Sequence, residues 1–360
     1  MSEEEFLGLL DKLLLAHSPC GEEDEIDAVL RPELEALCDE VWTDESGSII
    51  GYLKGGDEAP QCIVAHKDEI GMLVKRIDKD GLIRVENLGG THPWKYGEGP
   101  VQILTREGAI DGVLSIGSIH TTTDTERVKK ARTAPLDWSV VRVDAKMTKE
   151  ELERAGVGAG TRVVIHRNRK KPLIFRGFVS GFGLDDKGGL AVMLTALREY
   201  RKRGLKPKGD LYFVATSEEE IGAAGGGYTA RNLEIRTIIA IEVCPAEKEY
   251  DVKNDERPVV IFKDACYLYD KRLSDELCEV ALDIGCGVQR ATLSNFGSDA
   301  STARKLGQAG RAACIAFPTN NTHGYEISNI AGMMNCARLL LEYLSRWSDE
   351  GGERRGLAVS

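Results

Sequence analysis

The chain has 360 residues, 42% hydrophobic and 29% charged, with a formal net charge of −11 at pH 7. This composition is typical of a globular protein with one large domain or two of ordinary size. The acidic balance argues against nucleic acid and anionic membranes as partners, because both repel a negative surface. No apolar run reaches the ~20 residues of a membrane span, so we expect no membrane partner.

The nine cysteines are scattered, without a CxxC pair or zinc-finger spacing. This usage favours free thiols in a reducing compartment. The first fifteen residues begin with acidic side chains and continue as an amphipathic pattern, which does not match a secretory signal. We therefore expect a cytoplasmic protein.

The N-terminal part predicts two helices followed by strands. Ser2 and Glu5 have capping-box spacing, which predicts a helix through about Leu15. A helix over 22–37, a hairpin over 41–54 and a short strand over 61–65 are expected next. That strand delivers His66 and Asp68 at its carboxyl end, where open α/β sheets bind ligands.

The remainder divides into a β-rich stretch and an alternating one. Short alternating runs between 72 and 164, separated by Gly, Pro and Thr clusters, predict a small all-β unit. Later segments predict helices over 185–203, 275–285 and 329–347 and strands over 210–216, 237–243 and 312–317. We expect an α/β domain formed by 1–71 and 165–360, interrupted by a β domain at 72–164.

His66 and Asp68 are two apart in an extended segment, so their side chains face the same way. Asp68 would then fix which imidazole nitrogen meets a metal. The alternative is a strand-end histidine beside a solvated acid, and the pattern alone does not decide between them.

Asp185 and Asp186 precede two glycines and an apolar helix. Paired carboxylates repel each other unless a cation neutralises them, and one of them could bridge two metals. The alternative is a helix N-cap followed by a first-turn acid, which explains one aspartate better than two.

Three glutamates, 218 to 220, directly follow a predicted strand. A solvated acidic loop is the usual reading of such a run. A metal ligand next to a general base would instead explain adjacent glutamates with different roles. Glu242, between Ile241 and Val243, is predicted to close the strand over 237–243, and it is a ligand or a paired core acid. His323 follows another apolar strand, and together these stretches supply enough ligands for a two-metal centre.

The joint motifs resemble the tetrahedral aminopeptidases, metallopeptidase family forty-two, which includes glutamyl and deblocking aminopeptidases and FrvX-like proteins. The shared signatures are His-x-Asp-Glu-Ile-Gly at 66–71, Asp-Asp at 185–186, Glu-Glu-Ile-Gly at 219–222, Gly-Ser-Asp-Ala at 297–300, and Pro-Thr at 318–319 with His323 and Glu326. The resemblance spans nearly the whole chain. It implies a mixed-sheet, zinc-exopeptidase-like domain with helices on both faces and a β-barrel-like insert.

The resemblance also implies the roles of site residues. One metal would be held by His66, Asp185 and Glu242, and the other by Asp185, Glu220 and His323. Glu219 would be the general base, Asp68 would orient His66, and the Asp185–Asp186 bond would be cis. Glu242 departs from the aspartate usual in the family, and 318–324 also differ from the commoner sequence.

The cofactors implied are two divalent metal ions per chain, with zinc expected first and cobalt or manganese as alternatives. The all-N/O ligand set does not itself choose among these metals. The resemblance implies a homo-oligomer in which the insert joins chains into dimers and then into dodecamers. We hypothesise an aminopeptidase that hydrolyses the N-terminal bond of peptides with a metal-bridging water activated by Glu219. The alternatives are a dinuclear deacylase or carboxypeptidase of the same clan, and a non-catalytic scaffold with a decayed site.

Overall fold

The computed structural model describes residues 2–120 and 126–350. The helices are α1 Glu3–Leu15, α2 Asp24–Glu35, α3 Pro93–Tyr96, α4 Glu126–Thr133, α5 Lys149–Arg154, α6 Arg167–Lys170, α7 Leu184–Lys202, α8 Ala224–Asn232, α9 Lys271–Asp283, α10 Asp299–Lys305 and α11 Ile330–Arg346. The strands are β1 Glu40–Thr43, β2 Ile49–Leu53, β3 Glu58–His66, β4 Gly71–Ile77, β5 Ile83–Leu88, β6 Gly99–Thr105, β7 Gly108–Ser115, β8 Arg142–Asp144, β9 Arg162–Ile165, β10 Leu173–Phe175, β11 Phe178–Gly181, β12 Leu205–Pro207, β13 Gly209–Thr216, β14 Thr237–Pro245, β15 Val259–Lys263, β16 Gln289–Thr292, β17 Arg311–Asn320, β18 Glu326–Asn329 and β19 Ser348–Glu350.

A mixed eleven-stranded sheet organises the chain, with the order β1-β2-β13-β3-β14-β17-β18-β11-β10, and β15 and β16 to one side. Strands β13, β3, β14 and β17 run parallel to one another. Strand β11 points the same way as β17, because both pair antiparallel with β18. The carboxyl ends of these strands therefore meet along one edge of the sheet.

Hydrophobic side chains cover both faces of this sheet. Alternate residues of β14 enter different clusters: Ile239 and Ile241 lie in one, and Ile238 and Ala240 in the other. The first cluster is completed mainly by α1, α2, α7, α9 and α11, and the second by residues of α8 and α10. The alternation follows from the two-residue period of a strand. The predicted α/β fold with helices on both faces is confirmed.

Helix α1 forms as its sequence predicts. Ser2 accepts a hydrogen bond from the N–H of Glu5, whose side chain bonds back to Ser2, so the capping box is complete. The buried stripe of α1 comprises Phe6, Leu9, Leu10, Leu13 and Leu14. Burying each large apolar side chain contributes ~1.5–3 kcal/mol, which far exceeds the capping energy.

A closed barrel of strands β4-β5-β8-β7-β6-β9 occupies the β-rich stretch. Its interior is filled by aliphatic side chains such as Val74, Ile83, Val101 and Val143. Helices α3, α4 and α5 also lie in this stretch, so the expectation of an all-β unit is wrong in that respect. All three helices are short, and α4 and α5 are strongly polar, so their sequences do not distinguish them from loops. The exact domain division at 71/72 and 164/165 stays a prediction.

Two further expectations need correction. Strand β14 continues to Pro245, so Glu242 lies within the strand and does not close it. Helix α7 contains non-helical backbone at Asp185 and Asp186, so regular helix begins two residues later than predicted. The Asp185–Asp186 peptide bond is cis, as expected. Within the described residues, no helix is both long and apolar enough to cross a membrane. The polar, glycine-rich sequence at 351–360 predicts a frayed tail, and these residues lie outside the described part of the chain.

Candidate metal centre

The carboxyl edge of the sheet gathers the acidic and imidazole side chains singled out in the sequence. His66 is the last residue of β3, and Glu219 and Glu220 follow β13. Asp185 follows β11, His323 follows β17, and Glu242 points from within β14. Since these strands share one direction, segments far apart in sequence deliver their side chains to one place.

The Asp185 carboxylate lies between two imidazoles. Its Oδ1 is 3.1 Å from Nε2 of His66, and its Oδ2 is 3.4 Å from Nε2 of His323. Each oxygen of one carboxylate therefore faces a different histidine. This is the arrangement that a bridging carboxylate needs.

Two sets of donor atoms share Asp185. In each set the donor atoms lie within 4.8 Å of one another; the sets are His66, Asp185 and Glu242, and Asp185, Glu220 and His323. The donors are imidazole nitrogens and carboxylate oxygens, which suit divalent transition metals. Within the described residues, the buried Oε1 of Glu220 has no hydrogen-bond partner, as expected of an atom reserved for a cation. The residues present therefore fit a pair of divalent ions.

The electrostatics of the cluster agree with that fit. Burial, reinforced by neighbouring carboxylates, raises the pKa of Glu219 and Glu242 well above the ordinary value and that of Glu220 to about 7. Burial alone would lower the pKa of His66, but hydrogen bonds to Asp185 and Asp68 raise it well above its usual range. Four or more acids share this small volume, and positive charge is what would allow them to stay ionised together.

Both histidines are oriented by the nitrogen that faces away from the centre. Nδ1 of His66 lies 3.0 Å from the backbone oxygen of Asp68, and Nδ1 of His323 lies 2.7 Å from the backbone oxygen of Gly90. A carbonyl only accepts, so each Nδ1 carries a proton, and Nε2 is the nitrogen that each ring turns towards the cluster, where a metal would take the place of its proton. Gly90 belongs to the β-rich stretch, and nothing in its own sequence neighbourhood indicates this contact.

The Asp68 carboxylate has a wider role than predicted. Its Oδ1 is 3.5 Å from Nδ1 of His66, farther than the backbone oxygen. It accepts hydrogen bonds from the backbone N–H of Glu219 at 2.9 Å and Glu220 at 3.1 Å, and from the Cys20 thiol at 3.1 Å. The side chain therefore fixes the turn that carries both glutamates.

Asp186 differs from its neighbour. Its Oδ1 accepts the N–H of Gly189 at 3.1 Å, and its Oδ2 accepts the N–H of His66 at 3.3 Å. Asp186 therefore caps the regular part of α7 and links that helix to the end of β3 by hydrogen bonds. The helix-cap interpretation thus holds for the second aspartate of the pair, whereas the first lies in the donor cluster.

A cleft with about 360 Å³ of open space adjoins the second donor set. Its walls include Ile70, Tyr96, Ile165 and Phe182, drawn from both the barrel and the main sheet. Apolar walls beside a polar centre are typical of small-molecule sites. We did not single out these residues from the sequence, because their meeting depends on how the barrel packs against the sheet.

A buried ionic network lies beside the same cleft. Glu69 pairs with Lys170 and Lys187, and all three side chains are nearly inaccessible to solvent. Burial alone would raise the pKa of Glu69, but the two ammonium groups hold it well below its usual range. The network gives the cleft a fixed polar wall, and sequence spacing gave no signal for it.

Comparison with known proteins gives consistent matches. A family model described as M42 glutamyl aminopeptidase matches residues 47–339. FrvX of Escherichia coli (strain K12) is 26% identical over 325 residues, covering 88% of each chain. The TET aminopeptidase of Thaumarchaeota archaeon SCGC AB-539-E09 has a TM-score of 0.86 at 24% identity, covering 95% of this chain and 96% of its own. The Pyrococcus horikoshii TET1 peptidase, which can assemble into a tetrahedron or a large octahedral shell, has a TM-score of 0.82 at 22% identity, covering 95% and 99%. The two structural likenesses show the fold.

Proposed function

Because this chain belongs to the M42 family of glutamyl aminopeptidases, we propose that it is a dinuclear metallo-aminopeptidase that removes the N-terminal residue of peptides. The observation that carries the proposal is the Asp185 carboxylate between His66 and His323, with Glu242 and Glu220 completing two donor sets. The family match supports the reaction class, and the donor geometry supports two ions, with zinc favoured over cobalt or manganese.

The ligand assignment follows the two donor sets. One ion would be held by His66, Asp185 and Glu242, and the other by Asp185, Glu220 and His323. When bound, the ions supply positive charge that polarises the scissile carbonyl and lowers the pKa of water. Both imidazoles already present Nε2 to the cluster, because Nδ1 is engaged by a backbone carbonyl. Little reorganisation of these side chains is then needed for binding.

Glu219 is proposed as the general base. Its pKa is raised by burial, which makes the carboxylate a better proton acceptor than a solvated glutamate. It would take a proton from the attacking water and deliver it to the leaving amine. The backbone N–H of Glu219 donates a hydrogen bond to the Asp68 carboxylate, which holds the backbone of Glu219 in place. The side chain of the substrate's first residue would enter the cleft walled by Ile70, Tyr96 and Phe182.

The test pairs metal content with substrate choice. The purified chain is analysed for bound metal after reconstitution with Zn²⁺, Co²⁺ or Mn²⁺, and then assayed on matched peptides with free and acetylated N-termini. About two ions per chain and cleavage of free-amine peptides alone support the proposal. Activity on blocked peptides alone would identify a deacylase, and an inert, metal-free chain would identify a scaffold.

We also propose that the chain acts in the cytoplasm as a homo-oligomer of dimers building a dodecamer. The assembly of the Pyrococcus horikoshii relative supports this proposal. An edge strand gives local support: Leu173, Ile174 and Phe175 of β10 are 54%, 51% and 39% exposed. Apolar side chains on an uncovered sheet edge are typical of an interface. Sedimentation of wild-type protein and Ile174→Asp would show whether this strand contributes.

A further inference from the structure

Glu326 is a buried carboxylate that the proposed reaction does not use. Only 1% of the residue is exposed to solvent. Its Oε2 accepts a hydrogen bond from the backbone N–H of Asp185 at 3.1 Å, and its Oε1 accepts one from the backbone N–H of His323 at 3.1 Å. One side chain therefore holds the backbones of two residues that belong to the same donor set.

The sheet explains how a single side chain reaches both segments. Glu326 begins β18, which lies between β11 and β17. Strand β11 leads to Asp185, and β17 leads to His323. The backbone of Glu326 is itself fixed, since it is paired in register with Gly181 and its carbonyl accepts a 2.6 Å hydrogen bond from Ser180 Oγ. The carboxylate thus projects from a rigid position where the two segments leave the sheet.

Neither held segment has regular backbone geometry. His323 has φ of 57°, in the left-handed region that non-glycine residues seldom adopt. Asp185 has φ of −82° and ψ of 104° at a non-helical position in α7. Neither residue belongs to a strand or to the regular part of a helix, so a side-chain anchor has a large effect on where their side chains point.

We propose that Glu326 is a positioning residue for the second metal site. It holds Asp185 and His323 so that Oδ2 of the first and Nε2 of the second, 3.4 Å apart, converge on one ion. This inference rests on the proposed function, because it presupposes two ions. Asp185 is shared by both donor sets, but His66 and Glu242, the other members of the first set, donate no hydrogen bond to Glu326. Loss of Glu326 therefore frees two residues of the second set and only one of the first, so the second site should be weakened more.

The test is Glu326→Gln, titrated with Zn²⁺ alone from the metal-free state in competition with a chelator. Glutamine has one acceptor oxygen, so one of the two backbone N–H groups would face an amide donor. We expect the second Zn²⁺ to bind ~10–100-fold more weakly, the usual effect of losing a group that orients a ligand, and the first Zn²⁺ to be weakened clearly less, because His66 and Glu242 keep their positions.

The matched control is Asp264→Asn. Asp264 is fully buried and accepts two backbone N–H bonds, from Cys266 at 2.8 Å and Tyr267 at 2.9 Å, but belongs to neither donor set. Both bonds reach its Oδ1, so the variant makes the same acid-to-amide change in a buried carboxylate while an acceptor for both N–H groups remains. We expect this variant to bind two Zn²⁺ ions with wild-type affinity. Thermal unfolding of the metal-free proteins shows whether either substitution disturbs the fold.

Several outcomes would overturn the inference. If Glu326→Gln binds both ions with wild-type affinity, Glu326 does not position the second site. If both sites are weakened equally and the melting temperature also drops, Glu326 has only a structural role. If Glu326→Gln does not fold, Glu326→Asp, which keeps both oxygens on a shorter chain, must show the same selective loss. A wild-type chain that binds no Zn²⁺ would overturn the proposed function itself, and this inference with it.

Discussion

The backbone N–H of Glu219 donates a hydrogen bond of 2.9 Å to Oδ1 of Asp68, across a large separation in sequence. The N–H of Glu220 donates to the other oxygen at 3.1 Å. Asp68 lies two residues beyond His66 on the same segment. A single aspartate therefore links the end of β3 to the turn after β13 and sets the position of the proposed base relative to a proposed ligand.

Asp68→Asn should lower kcat by ~10–100-fold, because the amide can accept only one of the two backbone N–H bonds and the turn loses its register. KM should change little, since the cleft walls are untouched. The measurement is steady-state kinetics with metal analysis. Asp44→Asn is the control, because Asp44 accepts two backbone N–H bonds, at 2.9 and 3.1 Å, on a single oxygen in the turn after β1, so the amide can keep both. If Asp68→Asn and Asp44→Asn have the same kcat and KM, Asp68 does not set the position of Glu219.

Glu219→Gln should reduce kcat by ~10²–10⁴-fold while leaving about two ions bound, because the amide cannot accept the water proton. Elemental analysis of the same preparation that is assayed checks both parts. Loss of metal in this variant would mean that Glu219, and not Glu220, is the ligand, and the assignment within the glutamate run would have to move by one residue.

His323→Ala and Glu220→Ala should each lose one ion and most of the activity, because both residues belong to a single donor set. His166→Ala is a suitable control, since His166 is paired with Asp111 at 3.3 Å on the barrel. Metal stoichiometry after dialysis is the measurement. Two tightly bound ions in both site variants would contradict the ligand set.

Stability should fall as the pH drops from about 6.5 towards 4, partly because of His17. Nδ1 of His17 accepts a hydrogen bond from Nζ of Lys170 at 2.9 Å, and Nε2 lies 2.8 Å from Gln102 Oε1, so the ring is held neutral. Burial, and then the charge of Lys170, lower the pKa of His17 to about 4. In the unfolded chain the pKa of His17 is about 6.5. The neutral ring therefore contributes its full share of stability above that pH, and this share is lost progressively as the pH falls towards 4.

The corresponding measurement is chemical denaturation of His17→Gln and wild type in EDTA at pH 4.5 and 7. The variant should lose less stability between the two pH values, by up to ~3 kcal/mol. His120→Gln removes an exposed histidine and should behave as wild type. Identical pH dependence in all three proteins would show that His17 is not held neutral.

Phe182→Ala should broaden the choice of N-terminal residue, since it removes one wall of the cleft. The measurement is kcat/KM for peptides that begin with tryptophan and for peptides that begin with alanine. The ratio of the first value to the second should rise ~10-fold. Phe262→Ala is the matched control, because each phenylalanine ring has an arginine over it. Arg290 lies 4.4 Å from the ring of Phe262, and Arg169 lies 5.1 Å from the ring of Phe182. Phe262 does not line the cleft. An unchanged ratio in Phe182→Ala would place the substrate side chain elsewhere.

The sequence predicted the elements and the cluster because both depend on local patterns. Strand-end acids, the capping box at Ser2 and the order of the motifs are visible along the chain. The contacts of Gly90 with His323 and of Glu326 with Asp185 are not, since they depend on strand pairing and on how the barrel packs. Glu242 was misplaced at a strand end because β14 continues to Pro245, and propensity does not mark where a buried parallel strand stops.

The hydrogen bond from His323 to Gly90 has a consequence for cooperativity. The backbone oxygen that selects the tautomer of this histidine belongs to the β-rich stretch, and not to the sheet that carries the other ligands. If the proposed second ion binds, a force that shifts the barrel would change its affinity, and by reciprocity the bound ion would resist that shift. If chains join through their barrels, subunit association and metal uptake become linked equilibria, and dilution should release metal as well as subunits.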